Sequence, residues 1–144
     1  MNIIINYTSA VLIAVLLFGC QDTYKQEYKT YAEFNKMNAR NKSWFPNIIN
    51  NDAYNLKSIS ALDSLCAFGR FSYSDSNAYN SIFAKDNLDL KTFLKKVRQN
   101  YSRKPPWFID TTNLQTKKPE IIQQERFYLL NIKTEKTIYF ILSD

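Results

Sequence analysis

Apolar and polar positions alternate most clearly near the end of the chain. Tyr128, Leu130 and Ile132 interleave with Phe127 and Leu129, and Ile138, Phe140 and Leu142 interleave with Tyr139 and Ile141. A period of two is the strand signature. It predicts a C-terminal β-hairpin, strands 126–132 and 137–142, around Lys133-Thr134-Glu135-Lys136. Apolar residues on both faces imply interior strands, or a sheet partly covered on each side. Residues 65–73 form a third strand, with Leu65, Ala67, Gly69, Phe71 and Tyr73 on one face and Cys66, Phe68, Arg70 and Ser72 on the other. A charge in mid-strand needs a carboxylate partner or a wet face, and Asp63 is a possible partner for Arg70. Residues 54–59 make a fourth strand of poorer alternation. Helical spacing appears in three places. Thr30-Tyr31-Ala32-Glu33 is a capping box and starts a helix running to about residue 40. Tyr79, Ile82 and Phe83 suit a short helix. Leu90, Phe93, Leu94, Val97 and Tyr101 form a full amphipathic stripe, with Asp89 as N-cap and Leu88 stapling against Phe93. The fold class expected is α+β: a four-stranded, mostly antiparallel sheet with two or three helices in a single domain.

The N-terminus departs from this pattern. Residues 10–18 are an unbroken apolar run, and residues 1–19 hold no charged side chain. Nine residues are too few to span a bilayer, which takes about 20. They match the apolar stretch of an export signal. Leu17-Phe18-Gly19-Cys20 follows, and it resembles the lipobox of bacterial lipoproteins: an aliphatic residue at −3, a small one at −1, then Cys. The resemblance implies that residues 1–19 are a signal peptide and that Cys20 carries covalent lipid as the first residue of the mature protein. Several acyl chains give stable anchoring where one is marginal. Phe18 at −2 and the absence of Lys or Arg upstream depart from the usual pattern. An uncleaved N-terminal anchor is the alternative. Residues 20–29 are polar and read as a lipidated tether of at most about 30 Å, leaving 30–144 as one globular domain. Asp22, rather than Gln21, carries the first charge after Cys20, which favours the outer over the inner membrane by resemblance to known lipoproteins.

A second resemblance covers residues 44–73. Trp44-Phe45-Pro46, Ile48-Ile49, Ala53, Asn55-Leu56, Leu62-Asp63-Ser64 and Arg70-Phe71 are similar in order and spacing to a group of small bacterial exported proteins and lipoproteins. That group brings no assigned activity. The chain departs from it at Ile48, Asn50 and Asn51.

Composition then narrows the chemistry. The chain has 144 residues, a net charge of +6 and no His. The lack of His removes Ser-His and Cys-His nucleophile pairs and His-ligated metals. Two Gly cannot build a phosphate-binding glycine loop. If Cys20 is acylated, Cys66 stands alone, able neither to pair within the chain nor to make a zinc site, and its apolar surroundings suit a buried small hydrophobe. Carboxylates are the remaining catalytic option; Asp86 and Asp89 are close in sequence, but Asp89 is better explained as a cap, and Asp63, Asp110, Glu120 and Glu125 are scattered along the chain. A carboxylate-dependent hydrolase is therefore the remote alternative. No cofactor is expected beyond the lipid.

The expected function is a non-catalytic structural or protein-interaction module anchored at the cell envelope, an assembly factor or an inhibitor. Its partners would be the membrane and an envelope protein, not nucleic acid, which an exported protein rarely meets. The alternative is a glycan- or peptidoglycan-binding module, suggested by 10 Tyr, 10 Phe and two Trp with a basic balance. The candidate surface residues are Trp44, Arg70, Lys95, Arg98, Trp107 and Phe108. Lys95 and Arg98 lie on the basic side of the amphipathic helix, where a merely solvated face is the plainer alternative. Pro105-Pro106 extends the backbone before Trp107 and Phe108, which either present a stacking edge or pin the loop over the core.

Overall fold

The computed structural model describes residues 23–42, 44–84 and 88–143. Cys20, the signal residues and Asp86 lie outside them. The described chain forms one α+β domain built on a six-stranded sheet in the order β1-β2-β3-β6-β5-β4. The strands are β1 (Thr23–Thr30), β2 (Ala53–Ala61), β3 (Cys66–Tyr73), β4 (Glu120–Gln124), β5 (Phe127–Ile132) and β6 (Thr137–Leu142). Every pairing is antiparallel. The four central strands are the four expected from alternation. The sheet gains one strand at each edge, so the expected count of four is corrected to six.

The missing strands are the least hydrophobic. Strand β1 occupies most of the stretch read as a tether. Residues 23–28 pair along β2, from Thr23 opposite Ala61 to Tyr28 opposite Leu56, and Thr30 then pairs with Tyr54. On its inward face Gln26 is buried and Tyr28 half-buried, while Lys25, Glu27 and Lys29 stay exposed. An edge strand needs little apolar surface, and charges on it discourage pairing with other chains. Strand β4, at the other edge, is five residues long, and Ile121 and Ile122 are its buried positions. The Leu88 amide donates to the Ile121 carbonyl at 2.8 Å and covers part of that edge.

Both faces of the sheet are covered. Every residue of β5 and of β6 is buried, which accounts for strands apolar on both sides. One face carries α1 (Tyr31–Lys36), a 3-10 turn (Ala39–Lys42), the 44–50 segment and α2 (Ser76–Phe83). Its core joins Phe34, Phe45, Ile48, Tyr79 and Phe83 to Leu56, Phe71, Leu129 and Phe140 of the sheet. The opposite face carries α3 (Leu90–Gln99) and the long segment up to β4, and it joins Phe93, Val97, Phe108 and Leu114 to Phe68, Leu130, Tyr139 and Ile141.

Local chemistry sets the helix ends. The Thr30 hydroxyl accepts the Glu33 amide at 3.3 Å, and the Glu33 carboxylate takes the Lys29 amide at 2.8 Å, one residue before the amide that the capping box predicts. Helix α1 stops at Lys36, short of residue 40, because Asn38 turns into the left-handed region at φ 49. Arg40 then donates to the Asn47 and Ile49 carbonyls at 3.0 and 2.6 Å and holds the 44–50 segment in place. Asp75 caps α2 by accepting the Asn77 amide at 2.9 Å, and Asp89 caps α3 through the Thr92 amide at 2.7 Å. Hydrogen bonds from the Thr92 hydroxyl and amide hold the Asp89 carboxyl below its ordinary range.

The weak alternation of β2 has a specific cause. Tyr54 pairs with Ser72 and Lys57 with Arg70, so Asn55 and Leu56 form a bulge against a single residue of β3. Asn55 sits at φ 51. The extra residue lets Ala53 and Leu56, three apart, face the same core.

Candidate functional site

The candidate site is a cleft of ≈ 260 Å³ on the α3 face, between β1–β2 and the chain leaving α3. Lys25, Glu27, Ser58, Ile59, Pro105, Pro106 and Trp107 line it. It exists because α3 and the following segment cover β3 to β4 but stop short of β1. Beside it, strand pairing sets a row of side chains across the sheet: Glu27 opposite Lys57, Lys57 opposite Arg70, and Arg70 opposite Tyr139. The Lys57 ammonium lies 3.3 Å from the Glu27 carboxylate. The Arg70 guanidinium lies 6.0 Å from the centre of the Trp107 ring, within range of a cation–π contact.

Arg70 thus has an aromatic neighbour where a carboxylate or a wet face was expected. Asp63 is taken by Arg103, with 3.2 Å between Oδ2 and Nη2. The two residues after the prolines divide their roles. Phe108 is 3% exposed and packs edge-on against Phe68 and Tyr139, with ring centres 4.9 and 5.5 Å away. A ring so enclosed belongs to the core and has no face to offer a partner. Trp107 is half-buried on the rim of the cleft. The indole offers flat apolar area, and Lys25 and Glu27 offer charge of both signs. That combination suits a ligand with an apolar face and polar edges.

The other candidates lie elsewhere. Trp44 is on the opposite face, packed against the first core, with its carbonyl accepting from the Ser58 hydroxyl at 3.4 Å. Lys95 and Arg98 are exposed on the outer side of α3. The six residues therefore form no single patch; Arg70 and Trp107 are the pair brought together. Lys25 and Glu27 escaped the sequence reading because their strand looked like a tether. The usable signal was the alternation of Tyr24, Gln26 and Tyr28 with three charged residues.

A second depression of ≈ 400 Å³ lies over the β2 bulge, lined by Glu27, Tyr28, Lys29, Glu33, Asn55, Leu56 and Lys57. Glu27, paired with Lys57, borders both hollows, while here Glu33 holds the Lys29 amide and the Tyr28 hydroxyl takes the Gln26 amide group at 2.9 Å. The Trp107 cleft is the stronger candidate because a half-buried indole lines it beside charges of both signs. Cys66 borders a neighbouring cleft but is itself buried, and burial pushes its thiol up to about 11. Among the described residues, no group of three or more His, Cys, Asp or Glu side chains is placed to hold a metal ion.

Fold and cleft together define an antiparallel α+β domain, helices on both faces, with a small amphipathic cleft beside one edge strand. Residues 22–72 match the family described as the YbbD head domain. The match takes in β1, α1, β2 and nearly all of β3, about a third of the chain. Comparison with curated proteins and with solved structures gave no match.

Proposed function

We propose that the protein is a lipid-anchored module of the cell envelope that binds a protein partner, with Cys20 as the lipid attachment site and the outer membrane as its location. The observation that carries this reading is the closeness of the lipobox to the fold. The sheet begins at Thr23, three residues after Cys20. The leash is then at most about 10 Å rather than 30 Å. A domain held so short works at the membrane surface.

The carboxylates support a binding role over a catalytic one. Asp75 and Asp89 cap helices, and Asp52 accepts the Ser74 and Asp75 amides at 3.0 and 2.8 Å. Asp110 takes the amide and hydroxyl of Thr112 at 3.0 and 2.9 Å, which hold its carboxyl low. Glu120 and Glu135 pair with Lys133 and Lys117. Each has a structural task that accounts for its position. The test is acyl labelling of the wild type and of Cys20→Ser, followed by cross-linking in native membranes. The expected outcome is a label lost with Cys20 and one recurrent envelope protein cross-linked to the wild type. A Cys20→Ser protein that stays membrane-bound at full length would refute the anchor, and recovery of bulk lipid alone would refute the partner.

The Trp107 cleft favours a second reading, a glycan-binding module. A lining that joins the Trp107 indole to Lys25 and Glu27 suits a sugar ring stacked on an aromatic and hydrogen-bonded at its edges. Retention on peptidoglycan or an acidic polysaccharide, lost in Trp107→Ala, is the expected result. Flow-through of the wild type at low salt rejects it.

A further inference from the structure

The end of the sheet at which the chain enters has an unusual surface. Thr23 pairs with Ala61, and Ala61 with Cys66, so the turn of residues 62–65 projects beyond that end. The turn carries two exposed leucines, Leu62 at 54% and Leu65 at 48%. Tyr101, 69% exposed, lies beside it on the 3-10 turn Tyr101–Arg103. The Arg103–Asp63 ion pair ties the two turns together, and Thr23, Ala61, Ser102 and Arg103 line one shared cleft. Leu65 is also left-handed, at φ 46. Such a backbone favours Gly or Asn over a branched apolar residue, so local turn chemistry does not explain a leucine there. Water does not explain it either.

We infer that this end docks on the lipid bilayer, with Leu62, Leu65 and Tyr101 entering the headgroup layer beside the acyl chains of Cys20. The inference rests on the anchor proposed above. Its occupant follows from the length of chain between Thr23 and Cys20. A leash of three residues keeps Thr23 within about 10 Å of the lipid, and the two turns flank Thr23. Leucine enters the acyl boundary, and tyrosine is at home at the interface, with its ring in the apolar zone and its hydroxyl in water. Charge adds little. Arg98, Arg103 and Arg126 lie towards this end, but so do Asp63 and Glu125. The contact is carried by apolar side chains and is expected to persist at high salt, where a screened electrostatic contact fades.

The test uses the full-length protein reconstituted into phosphatidylethanolamine–phosphatidylglycerol vesicles. Leu62→Cys, Leu65→Cys and Tyr101→Cys each take an environment-sensitive fluorophore, and Thr134→Cys, in the turn at the opposite end, is the control. Acyl chains block Cys20, and Cys66 is buried. Lipids spin-labelled near the headgroup should quench the first three probes, in low and in high salt, and leave the fourth bright. Three probes as unquenched as the control, on protein whose N-terminal peptide carries the acyl mass, overturn the docking end while the anchor stands. Absence of the acyl mass on Cys20 overturns the anchor instead. Variants whose thermal unfolding departs from wild type are replaced by the remaining sites, any one of which reports the depth.

Discussion

Replacing Gly69 by alanine probes the tightest packing in the molecule. Gly69 pairs with Phe140 across β3 and β6, on the face that carries α1 and α2. A Cβ at Gly69 would lie 1.9 Å from Cζ of Phe140, 2.3 Å from Cε2 and 2.6 Å from Cε1. The ring therefore occupies the space that a methyl group would need. It has little room to retreat, because Phe140 is fully buried between Phe45 and Phe127, with ring centres 5.7 and 5.8 Å away. Overpacking a well-filled core costs about 1–3 kcal/mol, and a clash with an enclosed ring belongs at the top of that range. Alanine also stiffens the unfolded chain, which returns about 0.4–1 kcal/mol. The net expectation is a loss of about 2 kcal/mol, or a Tm lower by roughly 10 °C. Urea unfolding of the full chain, followed by tryptophan fluorescence, measures it. Phe140→Leu supplies the control. Alone it loses contacts, yet in the Gly69→Ala background it removes the clash, so the double variant should be more stable than the two losses summed, by about 1 kcal/mol or more. Gly69→Ala at wild-type stability, or strictly additive losses, would refute the account of Gly69 as the seat of the Phe140 ring.

Other expectations follow from single observations. Asn55 holds the left-handed position of the β2 bulge, so Asn55→Gly should be neutral, whereas Asn55→Val should cost about 1–2 kcal/mol in chemical unfolding; equal stability of the two variants would contradict the bulge. The Asp89 and Asp110 carboxyls are held below the ordinary carboxylate range by hydrogen bonds from Thr92 and Thr112. Groups lowered on folding add stability that is present above the unfolded pKa and lost as pH falls through the folded one. The urea midpoint should therefore fall as pH drops below about 4, and less steeply in Asp89→Asn and Asp110→Asn. A thiol buried and raised to about 11 should leave Cys66 inert to a disulfide reagent in native protein at mildly alkaline pH, and reactive at once in denaturant; prompt native labelling would place the thiol in solvent.

How much of this was legible depends on how local each signal is. The hairpin of β5 and β6 could be read because its alternation is strong and its partners are adjacent in the chain. The caps at Thr30, Asp75 and Asp89 act within three residues, and the two helices capped by Thr30 and Asp89 were read from them. Strand β1 was hidden because Thr23-Tyr24-Lys25-Gln26-Glu27-Tyr28-Lys29-Thr30 holds no aliphatic residue; its strand state comes from β2, some 30 residues later. Strand β4 offers only Ile121 and Ile122 as core residues. The bulge at Asn55 disguised β2 by shifting its apolar parity. The site suffered from the same limits. Trp107 and Phe108 look alike in sequence, but the expected extended backbone is a turn, closed by the Phe108 amide on the Pro105 carbonyl at 3.0 Å, and which ring meets the core depends on Phe68 and Tyr139. The cleft's far wall stands on β1, so it went unread with that strand.

The reach of the family match can be set against the packing. Residues 22–72 end within β3, the strand that joins the two halves of the sheet by pairing with β2 on one side and β6 on the other. The core beneath α1 draws Phe34, Phe45, Leu56 and Phe71 from the matched stretch and Phe127, Leu129, Ile138 and Phe140 from beyond it. Phe45 lies against Phe140 directly. On the other face, Phe68 meets Phe108, which comes from outside the match. A fragment that stopped at residue 72 would expose β3 along its length and leave both cores half built. In this chain the matched stretch is thus one flank of a single cooperative unit, and α2, α3 and β4–β6 are its structural complement. The Trp107 cleft straddles that boundary. Lys25, Glu27 and Ile59 come from inside the match, and Pro105, Pro106 and Trp107 from outside. The ligand recognition proposed for the cleft would therefore draw on both sides of that boundary, with Lys25 and Glu27 from within the match and Trp107 from beyond it.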